Sequence, residues 1–268
     1  MPTPQTLEDA AIRLIDNRRR LRAGPGDAPR HPLPTIEQVL PADARPEDDV
    51  TAYAIQDALI AKLGKVGGWK VAGSGPSGPS CAPVFSEVLH AAAGPLPWKV
   101  AVTTEYECEI GFEMGHDLPV RGRPYTAQEV ATAVRATRVT IELLEPRLQG
   151  SGTPLDRWVG IADGQACGAL VVGGETGNGF VDVDCAQQPV RITVDGVEVH
   201  RAVGGNALPR LLLLLVWLAN HLAGRGVPLT TGQVVTTGSC TGKRPWGDAR
   251  EVRVDFESVG RLVVASCR

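Results

Sequence analysis

The segment TEYECEIGFEM, residues 104–114, sets Glu105, Glu107, Glu109 and Glu113 at alternate positions. Successive side chains of a β-strand point to opposite faces, so these carboxylates share one face and Tyr106, Cys108, Ile110 and Phe112 the other. Two carboxylates at i and i+2 stand about 6–7 Å apart at their Cα atoms. Both can therefore reach one hard cation such as Mg2+, which takes oxygen ligands and keeps several waters. Glu142, in VTIELLEPR on a second expected strand, is a further carboxylate for the same ion. An amphipathic strand with a solvated acidic face produces the same pattern, and spacing alone leaves both readings open.

Two other segments carry chemistry. Lys70 sits in GGWKVAG among apolar residues and glycines. Such a lysine either snorkels to solvent or pairs with an acid, and in the second case it can work as a proton carrier. TTGSCTG, residues 236–242, follows the apolar run GQVV and offers hydroxyls and backbone N–H groups to a carboxylate, through Ser239 and Thr241 among others. A plain glycine-rich turn is the alternative for that segment.

The elements that would position these residues follow from periodicity. Leu7 to Leu21 places Leu7, Ala10, Ala11, Leu14, Ile15 and Leu21 on one helical face, and Asp48 to Leu63 repeats the pattern with Gly64 as its stop. Between them GPGDAPRHPLP reads as a loop. The reading divides the chain into a small helical N-terminal region, 1–66, and a mixed β catalytic domain, 67–268. Strands are expected at Gly67–Ala72, Thr103–Met114, Val139–Leu144, Ala169–Val172, Gln233–Thr237, Glu251–Phe256 and Arg261–Ala265. Val190–Val194 and Val197–His200 flank Asp195-Gly196, a hairpin signal. Thr126 and Glu129 form a capping box for a helix running to Arg138, and Leu208–Ala223 reads as a buried helix capped by Gly224. The fold class is α+β.

Composition narrows the function classes. Hydrophobic residues at 43% and charged residues at 21% are ordinary for a globular chain. The net charge of −3 and a single dense basic cluster, Arg18, Arg19, Arg20 and Arg22, argue against a nucleic-acid partner. The apolar run 208–223 carries Pro209, Arg210, Asn220 and His221 and is too short to span a membrane. The six cysteines form no C-x-x-C pair and no zinc spacing. Reduced, buried thiols in a cytoplasmic protein are expected.

Taken in order, AYAIQDAL, GGWKVAG, EYECEIGFEM, IELLEPR, IADGQACG, WLANHLAGRGVPL and GQVVTTGSCTG resemble the 2-keto-4-pentenoate hydratase and 4-oxalocrotonate decarboxylase branch of the fumarylacetoacetate hydrolase superfamily, over about residues 48–267. The resemblance implies a mixed β-roll core with peripheral helices, a homo-oligomer, a small-molecule 2-oxo acid substrate, and Mg2+ or Mn2+. Its metal ligands fall on Glu107, Glu109 and Glu142 and its active-site lysine on Lys70. Asp163, Ser239 and Thr241 are the corresponding substrate-side residues, and Glu87 is the nearest acid where the hydratases carry an Asp. The implied reaction is hydration of a 2-hydroxy-2,4-dienoate to a 4-hydroxy-2-oxo acid. Decarboxylation of a 2-oxo-3-enedioate is the alternative, with Lys243 and Arg244 as basic contacts for a second carboxylate. Cleavage of acylpyruvates ranks lower, because His31 is followed three residues later by Pro34 and no H-x-x-E pair stands there. A non-catalytic homologue ranks last. Where the hydratases read A-D-N and then a small polar residue and Ser, this chain reads Ala162, Asp163, Gly164, Gln165, Ala166. Loss of two polar groups there predicts a substrate bulkier or more apolar at the end distant from the metal, the alternative being that Gln165 or an ordered water replaces them and the substrate is unchanged.

Overall fold

Helix α1 (Pro4–Arg22) buries the expected stripe of Ala10, Ala11, Leu14 and Ile15. It is followed by the single turn α2 (Ile36–Val39) and by α3 (Asp49–Leu63). The Asp48 side chain accepts from Thr51 N at 2.7 Å and so caps an orphan amide of α3. Gly64, at φ +100°, ends that helix. The computed structural model describes residues 3–22, 33–73, 77–92, 96, 105–149, 156–206, 208 and 210–265. Most of the loop expected over 24–34, part of the one after Gly73, and Cys267 lie outside these residues.

The sheet elements are β1 (Val66–Ala72), β2 (Ser80–Phe85), β3 (Leu89–Ala91) and β4 (Glu105–Met114). Helix α4 (Ala127–Ala133) leads into β5 (Val134–Leu144), and α5 (Asp156–Asp163) leads into β6 (Cys167–Asn178). Strands β7 (Pro189–Val194) and β8 (Val197–Val203) form the hairpin signalled by Asp195-Gly196, both residues taking positive φ. Then come α6 (Leu212–Gly224), β9 (Val234–Ser239), β10 (Arg244–Pro245), β11 (Glu251–Phe256) and β12 (Gly260–Ala265).

The strands form two sheets, confirming the mixed α+β expectation. The larger runs β2-β1-β9-β4-β5-β6-β3, with β10 added on β4. Its β1–β9 and β3–β6 pairs are parallel and the rest antiparallel. The smaller runs β12-β11-β7-β8. Apolar residues of α1, α3 and α6 join those of both sheets in one contiguous core. Among the described residues no helix is long and apolar enough to cross a membrane.

Two local expectations need correction, and two elements were not expected. The helix begun at the Thr126 capping box stops at Ala133 and does not reach Arg138. From Val134 on, the chain pairs with β4, and the β-branched run suits that ladder better than a helix. The end of α6 is formed by Arg225 and by Gly226 at φ +76°, not by Gly224, which is still helical. Helix α5 and strand β2 had no clear periodic signal. Every residue of β2 is buried, so it lacks the alternation that marks a half-exposed strand.

Candidate active site

The acidic pattern of β4 converges because of register. Glu107 lies opposite Glu142 across the β4–β5 ladder, and Glu109 lies opposite Thr140. Directly opposed residues on one face of an antiparallel pair are close neighbours. One carboxylate oxygen from each of Glu107, Glu109 and Glu142 lies within 4.8 Å of the others. Glu109 is 1% exposed and Glu142 is fully buried, which removes the solvated-face reading of the strand.

Lys70 reaches this cluster from β1. Its Nζ is 2.5 Å from Glu142 Oε1 and donates to the Gln165 carbonyl at 3.2 Å. Strand β9, between β1 and β4, supports Glu109: Thr236 Oγ1 and Gly238 N both donate to Glu109 Oε2, the latter at 3.0 Å. Thr140 Oγ1 lies 2.7 Å from Thr236 Oγ1 and orients that hydroxyl. Ser239 bonds the Glu107 carboxylate.

The electrostatics are those of a site short of positive charge. Burial, then Glu142 and Glu107, push the Glu109 carboxyl up to about 8. Burial and Glu142 also raise Glu107. Burial is the largest influence and lowers Lys70, but Glu142, Cys167 and Glu109 together outweigh it and hold the ammonium above its ordinary value. Glu142 Oε2 is buried with no hydrogen-bond partner. Three carboxylates facing one ammonium, with one oxygen unsatisfied, match the oxygen donors and net charge that a divalent cation takes. Glu107, Glu109 and Glu142 are the residues that would hold it.

Residues 49–265 match the family model described as fumarylacetoacetate (FAA) hydrolase C-terminal. The chain belongs to this family. Similar curated proteins include the 2-keto-4-pentenoate hydratase of Paraburkholderia phymatum, 27% identical over 74% of this chain and 78% of that one. The enzyme of the same name from Paraburkholderia xenovorans is 27% identical over 96% and 97% of the two chains. Among solved structures, 4-oxalocrotonate decarboxylase from Pseudomonas putida G7, complexed with magnesium and adipate, covers 99% of both chains with a TM-score of 0.76 at 18% identity, a likeness of fold.

The other residues singled out in this fumarylacetoacetate hydrolase family chain are placed as follows. Ser239 is at the cluster. Thr241 is spent on backbone, accepting from Cys108 N at 3.3 Å and donating to the Gly242 carbonyl at 3.2 Å. Asp163 is buried and gripped by Arg147, whose Nε lies 2.9 Å from one carboxylate oxygen and 3.1 Å from the other. Burial raises the Asp163 carboxyl against the pull of Arg147 and Arg18. Glu87 is exposed and faces Arg22 at 3.8 Å, whereas the bonded partners of Lys70 are Glu142 and Gln165. Glu113, on the same strand face as the ligands, is held by Arg135 and Arg138.

The part of the substrate expectation that rests on Gly164 is also corrected. A Cβ on Gly164 would meet Arg18 Nη2 at 3.7 Å and Arg147 Nη2 at 3.9 Å, so the lost side chain points at two guanidiniums and not at the carboxylates. Sequence reasoning passed over Thr140 as a site residue and considered Gln165 only as a replacement for the polar groups lost at Gly164 and Ala166. Thr140 had a signal, standing two before Glu142 on one strand and so on the same face. Gln165 had none.

Proposed function

We propose that this chain is a divalent-metal-dependent hydratase that adds water to a 2-hydroxy-2,4-dienoate and yields a 4-hydroxy-2-oxo acid. The observation that carries the reading is the cluster of half-buried Glu107 with buried Glu109 and Glu142, joined to Lys70 at 2.5 Å, in a family member similar to curated hydratases. A bound Mg2+ or Mn2+ supplies Lewis-acid polarisation of the substrate's 2-oxygen.

The chain's own residues do the rest. Ketonisation removes the 2-hydroxyl proton and delivers one to the far end of the diene, leaving a double bond conjugated with the 2-oxo group. Water then adds across that bond, its oxygen at C4 and a proton at C3. Lys70 is the proton carrier within reach, 2.5 Å from Glu142 Oε1, and a cation bound beside it would lower its proton affinity toward the range that acid/base work needs. Ser239 and the Gly238 amide hold Glu107 and Glu109 in place, which limits reorganisation as charge shifts.

Decarboxylation of a 2-oxo-3-enedioate needs a basic contact for the second carboxylate. Arg244 is engaged by His200 Nδ1 at 2.8 Å and by the Thr241 carbonyl at 3.1 Å. Lys243, exposed and within electrostatic reach of Glu107, is the remaining cation for that role. Purified protein with Mg2+ or Mn2+, assayed on 2-hydroxypenta-2,4-dienoate, 2-oxo-3-enedioates and acylpyruvates with products identified by NMR, tests the reading. The expected product is 4-hydroxy-2-oxopentanoate. Carbon dioxide release from the enedioate with no hydration of the dienoate overturns it.

A further inference from the structure

Residues 164–166 take three left-handed backbone conformations in succession: Gly164 at φ +82°, Gln165 at +53° and Ala166 at +56°. Side chains rarely adopt such values, and the two non-glycine residues persist there only because their surroundings impose it. The surroundings are visible. Gln165 N donates to the Gly160 carbonyl at 2.7 Å, Cys167 N to the Gly164 carbonyl at 3.1 Å and Glu145 N to the Ala166 carbonyl at 2.8 Å. Arg147 clamps the turn from behind, binding the Asp163 carboxylate, the Asp163 carbonyl at 2.7 Å and the Cys167 carbonyl at 3.1 Å.

The turn brings the Gln165 carbonyl to Lys70, beside the acidic cluster, and its side chain to Ser80. The carbonyl accepts from Lys70, and the side-chain Nε2 donates to Ser80 Oγ at 2.7 Å. Ser80 pairs with Ala72, and Ala82 with Lys70, so Ser80 stands on the sheet face that carries Lys70. The bond to Ser80 fixes the amide plane. Its other atom, Gln165 Oε1, is buried and has no hydrogen-bond partner. A buried acceptor left unpaired is costly, so one at a site is matched by a donor that arrives with the ligand. An amide oxygen cannot take up a proton at neutral pH and serves as acceptor only.

We propose that Gln165 is a specificity-determining residue whose side-chain oxygen accepts a hydrogen bond from the water that adds to the substrate, and afterwards from the 4-hydroxyl that this water becomes. The inference rests on the hydratase reading. In the step, one O–H bond of water breaks, its oxygen bonds C4 and the freed proton is made up at C3. The remaining O–H points at Gln165 Oε1 throughout. Gln165 thus supplies, from the next residue along, a polar contact where Gly164 has turned its face to the arginines.

The test compares two ligands of one carbon skeleton, 4-hydroxy-2-oxopentanoate and 2-oxopentanoate, on the full-length Mg2+-loaded protein, by calorimetry and by inhibition of turnover. The unmodified protein should bind the hydroxy acid about tenfold more tightly, a typical hydrogen-bond increment. Gln165→Met should bring the ratio close to one by weakening the hydroxy acid and leaving 2-oxopentanoate within about twofold. Ser80→Ala, which releases the amide without touching the turn, should lower the ratio part-way and serves if Gln165→Met does not fold. An unchanged ratio in both variants, or no preference in an unmodified protein that does hydrate dienoates, overturns the role of Gln165. A preference for the hydroxy acid, lost in Gln165→Met, in a protein that hydrates no dienoate overturns the hydratase reading and leaves the acceptor role supported.

Discussion

Lys70 Nζ meets Glu142 at 2.5 Å, yet it engages only one oxygen of that carboxylate and leaves Oε2 buried without a partner. The pair is therefore incomplete within the protein. Mg2+ should complete it and raise the melting temperature by about 5–10 °C at a hundredfold excess over its Kd. Glu142→Gln should abolish that rise. Calorimetric melting with and without Mg2+ checks both, and equal Mg2+ stabilisation of the variant would exclude Glu142 as a ligand.

Lys70→Ala should lower kcat by about a hundredfold or more under saturating Mg2+, as expected for loss of a positioned proton carrier. Without Mg2+ the same change leaves Glu142 buried and unpaired and should cost about 3–5 kcal/mol of stability. Lys70→Arg should not restore turnover, because a guanidinium is larger and does not release its proton near neutrality. Steady-state kinetics beside denaturant titration separate the two effects.

Asp163 reads from sequence as a substrate contact, but it is buried against Arg147. Arg147→Met should destabilise the fold by about 3–5 kcal/mol by stranding that carboxylate. Adding Asp163→Asn should recover part of the loss. A change in KM from Asp163→Asn with no change in melting temperature would return Asp163 to the substrate.

A Cβ on Gly68 would stand 2.3 Å from the Val234 carbonyl oxygen, inside the parallel β1–β9 pairing that carries Lys70 beside Thr236. Gly68→Ala should cost about 2–3 kcal/mol or more, since backbone cannot step aside as a side chain can. Gly160→Ala, in helix α5 with nothing within 4 Å of the new methyl, should be neutral or slightly stabilising. Urea titration of the two variants gives the contrast.

His221 lies between the rings of Trp217 and Tyr53, with Arg225 Nη1 at 3.4 Å and Asp49 more distant. Burial, then Arg225, bring its proton affinity down from 6.5 to about 4. The unfolded chain therefore binds more protons than the folded one between those values, and stability should fall as pH drops from 6.5 toward 4. His221→Phe should flatten this part of the melting-temperature profile, and an unchanged slope would clear His221 of it.

Strand alternation alone put Glu107 and Glu109 on one face, and helical periodicity alone found α1 and α3, because both depend only on neighbours along the chain. The hairpin at Asp195-Gly196 was legible for the same reason. The ordered motifs pointed to the family across most of the chain. What sequence could not decide was pairing. The meeting of Glu142 with Glu107 depends on the β4–β5 register, and that of Lys70 with Glu142 on β9 entering between β1 and β4. The end of α4 at Ala133 followed from the same ladder, which claimed residues a local rule assigned to a helix. Asp163 and Gln165 are two positions apart, yet tertiary packing gave one to Arg147 and the other to Lys70 and Ser80. A left-handed turn separates them, and nothing in its residue types beyond Gly164 announces it: long-range hydrogen bonds from Arg147 and Glu145 hold the backbone where local preference would not.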